Sequence, residues 1–200
     1  MSNIGIEFER RIMLTCEEYL NIVSFYLKIY PNHPFLQNVN YYFDSEDLFL
    51  KNNHMTLRVR TINDVKSELT LKIKGNNGDQ EINDDLSIKE FDLLMNENIF
   101  PDGEVKKALL SLSYPLSHFK NIATLYNRRL EIVFEDHLLV VDKNTYHDIV
   151  DYNLEIETKE DIQLAESLLK GYIQKFNLSQ ANQKYKGKAT RAITAATKKG

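Results

Sequence analysis

Four segments of this chain alternate apolar and charged side chains, and the charged face of each carries mainly one sign. Residues 4–13 read Ile-Gly-Ile-Glu-Phe-Glu-Arg-Arg-Ile-Met, which puts Ile4, Ile6, Phe8 and Ile12 on one side and Glu7, Glu9 and Arg11 on the other. Leu57-Arg58-Val59-Arg60, Leu69-Thr70-Leu71-Lys72-Ile73-Lys74 and Leu154-Glu155-Ile156-Glu157 repeat the pattern. A period of two marks strands. A polar strand face is ordinarily a solvated one, with mixed side chains. Like charges two residues apart on one face repel, so these pairs need a reason to persist. Convergence supplies one: acidic and basic faces that line a shared interior compensate each other. The apolar faces then point outward under covering helices, which inverts the ordinary small barrel with its packed interior.

Further strands are predicted near 39–44, 128–135 and 138–143. Thr15 with Glu18 forms a capping box that opens a helix to about Tyr30, with Tyr19, Ile22, Val23, Tyr26 and Leu27 as its apolar stripe. Ser87 with Glu90 opens a second, with Phe91, Leu94 and Met95 inward. Residues 104–112 form a short third, and Lys159 to Phe176 a fourth with Ile162, Ala165, Leu168, Leu169, Tyr172 and Ile173 buried. Lys74 to Gly78 is a hairpin turn, and the basic residues Lys186 to Gly200 are expected to fray. Many strands with few crossover helices make an α+β, mainly antiparallel fold. With seven Gly, four Pro and no repeat or linker, residues 1–200 are expected to form a single domain with its core over about 4–192.

The chemistry of such an interior follows from its donors. Paired carboxylates suit Mg²⁺ or Mn²⁺. Arg and Lys suit phosphate oxygens, Arg through its bidentate fork. Acids on one side and bases on the other therefore fit a metal-bound polyphosphate. A formal charge of −4 argues against nucleic acid as a partner, and no apolar run reaches the ~20 residues of a membrane span. The lone cysteine, Cys16, and an N-terminus without a signal-like apolar region predict a cytoplasmic protein. The chain has no phosphate-binding Gly-x-x-x-x-Gly-Lys-Ser/Thr loop, its five His are scattered without zinc spacing, and Cys16 reads as a packed thiol. A homodimer is left open, because acidic and aromatic surface residues could serve an interface.

The order of these motifs resembles the CYTH superfamily, the triphosphate tunnel metalloenzymes. Its N-terminal Glu-x-Glu-x-Lys appears as Glu7-Phe8-Glu9-Arg10-Arg11, with Arg in place of Lys. Tyr41-Tyr42-Phe43-Asp44, the two basic strands, Asn127-Arg128-Arg129, Val140-Val141-Asp142, the Glu155-Glu157 strand and Lys186-Gly187-Lys188-Ala189-Thr190-Arg191-Ala192 follow in the family's order. The match spans residues 6–192 and is nearest the YjbK-like branch of low-GC Gram-positive bacteria. The resemblance implies an eight-stranded antiparallel tunnel barrel, a divalent metal and a triphosphate-containing small molecule as substrate.

It also assigns roles. Glu7, Glu9 and Glu155 are expected to hold the metal; Glu157 and Asp142 hold a second metal or position water, and Glu81 is a further acidic candidate. Arg11, Arg58, Arg60, Lys72 and Lys74 form the expected phosphate clamp, joined by Arg128 and by Lys188 or Lys186. Glu9, Arg11, Lys72 and Glu157 are the residues expected to act in catalysis. Strand parity sets Arg129, not Arg128, on the face of Glu131, so a bulge is needed to bring Arg128 inward. The expected reaction is metal-dependent hydrolysis of tripolyphosphate or an organic triphosphate such as thiamine triphosphate. The alternatives are a class IV-type adenylate cyclase, which makes cyclic AMP and pyrophosphate from ATP, and a non-catalytic polyphosphate or nucleotide sensor.

Overall fold

The computed structural model describes residues 2–75, 78–179 and 186–198, and for residues 2–4 and Glu7 the backbone alone. Eight strands among them close a barrel: β1 Ser2–Leu14, β2 Leu36–Asp44, β3 Met55–Ile62, β4 Lys66–Ile73, β5 Asp79–Leu86, β6 Lys120–Val133, β7 Leu138–Tyr146 and β8 Ile149–Thr158. Around the barrel they run β1-β5-β4-β3-β2-β6-β7-β8, every neighbour antiparallel. β1 completes the closure by pairing with β5 over its first half and with β8 over its second.

The barrel is inverted as the alternation predicts. Its outward apolar faces form two separate cores. Ile12, Leu130, Leu139, Val141, Leu154 and Ile156 pack under helices α1 (Cys16–Ile29) and α5 (Ile162–Phe176). Leu57, Val59, Leu69, Leu71 and Ile82 pack under the short α2 (Phe49–Asn52), α3 (Ile88–Glu97) and α4 (Glu104–Ser111). Both predicted capping boxes form, at Thr15/Glu18 and at Ser87/Glu90. Two buried strand carboxylates fasten α2 and α4 to the barrel. Asp44 accepts from the backbone N–H groups of Leu50 and Lys51, and Asp84 from those of Glu104 and Val105. A Cβ at residue 103 would come within 2.3 Å of the Asp84 carboxylate, so this approach requires Gly103.

Cys16, read as a packed thiol, is exposed at the start of α1, and the structure corrects three further expectations about the strands and helices. The polar stretch from Asp79 onward is strand β5, with Ile82 and Leu86 buried on its outer side and Glu81 and Asn83 facing in. The tail does not fray over Lys188–Thr197 but forms helix α6. Its Ala192 and Ile193 pack on Tyr42, Ala123, Leu125 and Tyr146, filling one end of the barrel. The third concerns β6, whose register against β7 is regular from Tyr126 to Val133, while the shift against β2 falls upstream, beside Tyr42 and Phe43. No bulge turns Arg128 inward. Among the described residues no helix is long and apolar enough to cross a membrane.

Candidate active site

The inward side chains enclose a cavity of about 1310 Å³ whose two walls carry different charge. On the β1–β8 side, register places Glu9 opposite Glu157 and Arg11 opposite Glu155. Arg11 straddles two carboxylates: its Nη2 donates to Glu9, and its Nε lies 3.3 Å from Glu155 Oε1. Glu155 also takes a hydrogen bond from Lys188 Nζ on α6 and lies 3.5 Å from Arg129 Nη2. Burial alone would raise the Glu155 carboxyl pKa, but Lys188, Arg11 and Arg129 outweigh it and hold it well below the usual carboxylate range.

Asp142 is fully buried behind this wall. Arg129 grips it with a fork, Nε to Oδ1 at 2.9 Å and Nη2 to Oδ2 at 3.1 Å, and Lys188 Nζ lies 2.7 Å away. Against the penalty of burial, Arg129 and Lys188 bring its pKa down to about 2. A directed row of amides ends on it. Asn38 donates to Asn127 at 3.0 Å, Asn127 to Asn144 at 3.0 Å, Asn144 to Asn153 at 2.8 Å and Asn153 to Asp142 at 3.3 Å. The row links β2, β6, β7 and β8 across the inner surface, so the wall that aims Arg129 is itself cross-braced.

The β3–β4 wall is basic and less satisfied. Arg58 Nη2 donates to Thr70 at 3.2 Å and to Glu68 at 3.4 Å, but its Nε is buried without an acceptor. Arg60 Nε donates to Asn40 at 3.1 Å. Burial, with repulsion from Arg58 and Arg129, pulls the Arg60 pKa down to about 10. Lys72 Nζ sits 3.1 Å from Glu81, 3.5 Å from Glu9 and 3.6 Å from Asp79, bridging the two walls at the β4–β5 side. Lys72 and Arg58 hold Glu81 below its ordinary value despite burial.

Most of the predicted set therefore converges: Glu9, Arg11, Arg58, Arg60, Lys72, Glu81, Glu155, Glu157 and Lys188 line the cavity, and Lys74 lies exposed at its rim, one residue past β4. Glu7 pairs with Asp79 by backbone register, and its side chain is outside the described residues. Asp142, expected to hold a second metal or position water, has its oxygens paired with Arg129, Lys188 and Asn153. Arg128 lies outside the barrel with its guanidinium 3.7 Å above the Phe35 ring. Arg129 takes the inward place, as the alternation with Glu131 indicated. Lys186 is exposed and stands apart from the cavity lining, while its carbonyl accepts from Arg191. Arg191, unassigned from sequence, pins α6 by donating to both Asp151 oxygens, at 2.8 and 3.1 Å.

The carboxylates of the β1–β8 wall suit a divalent cation by donor type, although among the described residues no three gather closely enough to hold one. Glu9, Glu155 and Glu157 offer only hard oxygens, and Glu155 Oε1 is buried without a hydrogen bond. Comparison with known proteins shows what the chain is similar to. The CYTH domain family matches residues 5–187. A Bacillus subtilis (strain 168) protein, YjbK, itself a proposed triphosphatase, is 34% identical over 184 residues, which cover 90% of this chain and 92% of that one. The crystal structure of a proposed adenylate cyclase from Bacillus halodurans is 32% identical, with a TM-score of 0.85 over 94% of this chain and 97% of its own. A Hippeastrum protein, described as a proposed adenylyl cyclase with a dominant triphosphatase activity, shares the fold at 16% identity, with a TM-score of 0.74 over 95% and 96% of the two chains.

Proposed function

This chain belongs to the CYTH domain family, and from that premise we propose that it is a metal-dependent triphosphatase releasing orthophosphate from inorganic tripolyphosphate or from an organic triphosphate such as thiamine triphosphate. One observation carries the reading: a single cavity sets the basic wall of Arg58, Arg60 and Lys72 against the carboxylates Glu9, Glu155 and Glu157. Arg58 keeps a buried Nε–H without an acceptor, and Arg58 and Arg60 share one carboxylate, Glu68, so phosphate oxygens match both. Lys72, Arg11 and Lys188 complete the clamp on the remaining oxygens.

Glu9 and Glu155 would hold Mg²⁺ or Mn²⁺, with Glu7 and Glu81 as further candidate ligands. When bound, the cation neutralises charge on the transferring phosphoryl group. The chain's own residues do the rest. The basic wall fixes the triphosphate in one pose, so the attack of water on the terminal phosphorus is a matter of positioning. In this reading Glu157, opposite Glu9 in register, accepts the water's proton on a carboxylate oxygen as the P–O bond breaks. Orthophosphate and a diphosphate are the products.

The test is product analysis with tripolyphosphate, thiamine triphosphate and ATP, each with Mg²⁺, with Mn²⁺ and with chelator. Metal-dependent orthophosphate release supports the hydrolase and ranks its substrates. Pyrophosphate and cyclic AMP from ATP would replace it with the cyclase, and binding without any turnover would replace it with a sensor.

A further inference from the structure

The carboxylates proposed to hold the metal are not waiting empty. Arg11 joins Glu9 to Glu155 through two different nitrogens of one guanidinium, so the group lies between the oxygens that a cation would have to share. Among the described residues no three carboxylates gather closely enough to hold a metal together. Arg11 is also hemmed on one side, because a Cβ at residue 187, where α6 begins, would lie 2.7 Å from its Nη1. Its side chain lines the cavity, so the room it has to swing lies toward the space where phosphate would sit.

We infer that Arg11 is the resident counter-cation of this wall, and that it couples the two ligands so that divalent metal and triphosphate bind strongly only together. The inference rests on the proposed function above. A metal arriving alone at Glu9 and Glu155 displaces Arg11 and leaves a guanidinium without an anion, beside Lys188 and Arg129. A triphosphate arriving alone draws Arg11 away and sets an anion beside Glu9, left with Lys72, and the buried Glu155, left with Lys188 and Arg129. Either loss of a paired charge is costly in a largely enclosed site. When both arrive, Arg11 passes from carboxylate to phosphate oxygen and the metal takes its former partners, so every charge is paired again. Linkage makes the effect reciprocal: the factor by which metal tightens triphosphate equals the factor by which triphosphate tightens metal. The fork matters, since a lysine ammonium is a point charge that cannot span the two carboxylates in the same way.

The experiment is a Mn²⁺ titration of the full chain followed by electron paramagnetic resonance of free Mn²⁺. It is run with and without imidotriphosphate, an analogue with P–N–P bridges, and protein-free controls correct for chelation by the analogue. In the parent chain the analogue is expected to tighten Mn²⁺ binding at least tenfold. Arg11→Gln is expected to bind Mn²⁺ alone at least tenfold more tightly than the parent and to lose most of the coupling. Arg11→Lys, which keeps the charge, guards against a folding defect and should fall between them. Equal Mn²⁺ affinity in parent and Arg11→Gln, or Mn²⁺ and analogue binding the parent independently, overturns the coupling and leaves the triphosphatase reading standing. A parent chain that holds neither Mn²⁺ nor the analogue under any condition overturns both.

Discussion

The two walls of the tunnel use the same charged residues under opposite rules. On the β6–β7–β8–β1 side every carboxylate described above has a cation from this chain against it, and Asp142 alone takes four hydrogen-bond or ionic contacts. On the β3–β4 side Arg58 keeps a buried N–H without an acceptor, and Arg60 sits at about 10, pushed down by burial and by its own neighbours. On the first wall the charges are paired, with Glu155 Oε1 left without a hydrogen bond; on the second one carboxylate, Glu68, serves both Arg58 and Arg60. The difference separates the Arg129–Asp142 pair, which braces the barrel, from Arg58 and Arg60, which face a ligand, because a buried pair resists change while an under-satisfied cation invites an anion.

The contrast can be broken or sharpened by substitution. The largest expected effect is at the seam: Glu9→Gln should lower phosphate release by on the order of 10²–10³ with an unchanged far-UV circular dichroism spectrum; loss of that spectrum would make Glu9 a structural residue. On the satisfied wall, Arg129→Ala leaves Asp142 buried without its main partner. It should cost about 3–5 kcal/mol in chemical denaturation, and a cost near zero would erase the distinction between the walls. On the hungry wall, Arg60→Ala should raise KM by about 10–100-fold, the loss of a charged hydrogen-bonding contact, with little loss of stability.

Acid provides the next test. Asp142 is depressed from its ordinary 3.8 to about 2, so its ion pairs stabilise the fold above its unfolded pKa and that contribution fades as pH falls from about 4 toward 2. It amounts to on the order of 2 kcal/mol. Asp142→Asn, followed by unfolding across that window, should lack this acid-sensitive portion. The smallest effect belongs outside the barrel: Arg128→Ala should leave turnover unchanged and cost about 0.5–1 kcal/mol, the scale of its contact with Phe35. A KM change there as large as that of Arg60→Ala would restore Arg128 to the site.

What could be read from the chain beforehand was whatever is local. Alternation in Leu57–Arg60 or Leu154–Glu157 reports its own strand, and Thr15 with Glu18 reports its own helix start. The inversion of the barrel was also legible, because single-sign faces have few other uses. Strand β5 escaped because its outer face carries Asp84, which caps α4, as well as Ile82, so its alternation is blurred. Helix α6 escaped because the surface that stabilises it is the barrel's end, assembled from β2, β6 and β7. The amide row escaped for the same reason: Asn38, Asn127, Asn144 and Asn153 meet only through register. Parity alone pointed to Arg129, and the regular β6–β7 pairing upholds parity over motif position at that strand.

Helix α6, seated on Tyr42, Leu125 and Tyr146, has a temporal consequence. A tube filled at one end and entered from the other releases its contents in reverse sequence. For a triphosphate cut inside such a tube, the fragment nearer the doorway departs first and the deeper one queues behind it. An excess of the outer fragment in solution would then hold the inner one captive, and the enzyme would stall on the order of its exits rather than on the breaking of its bond.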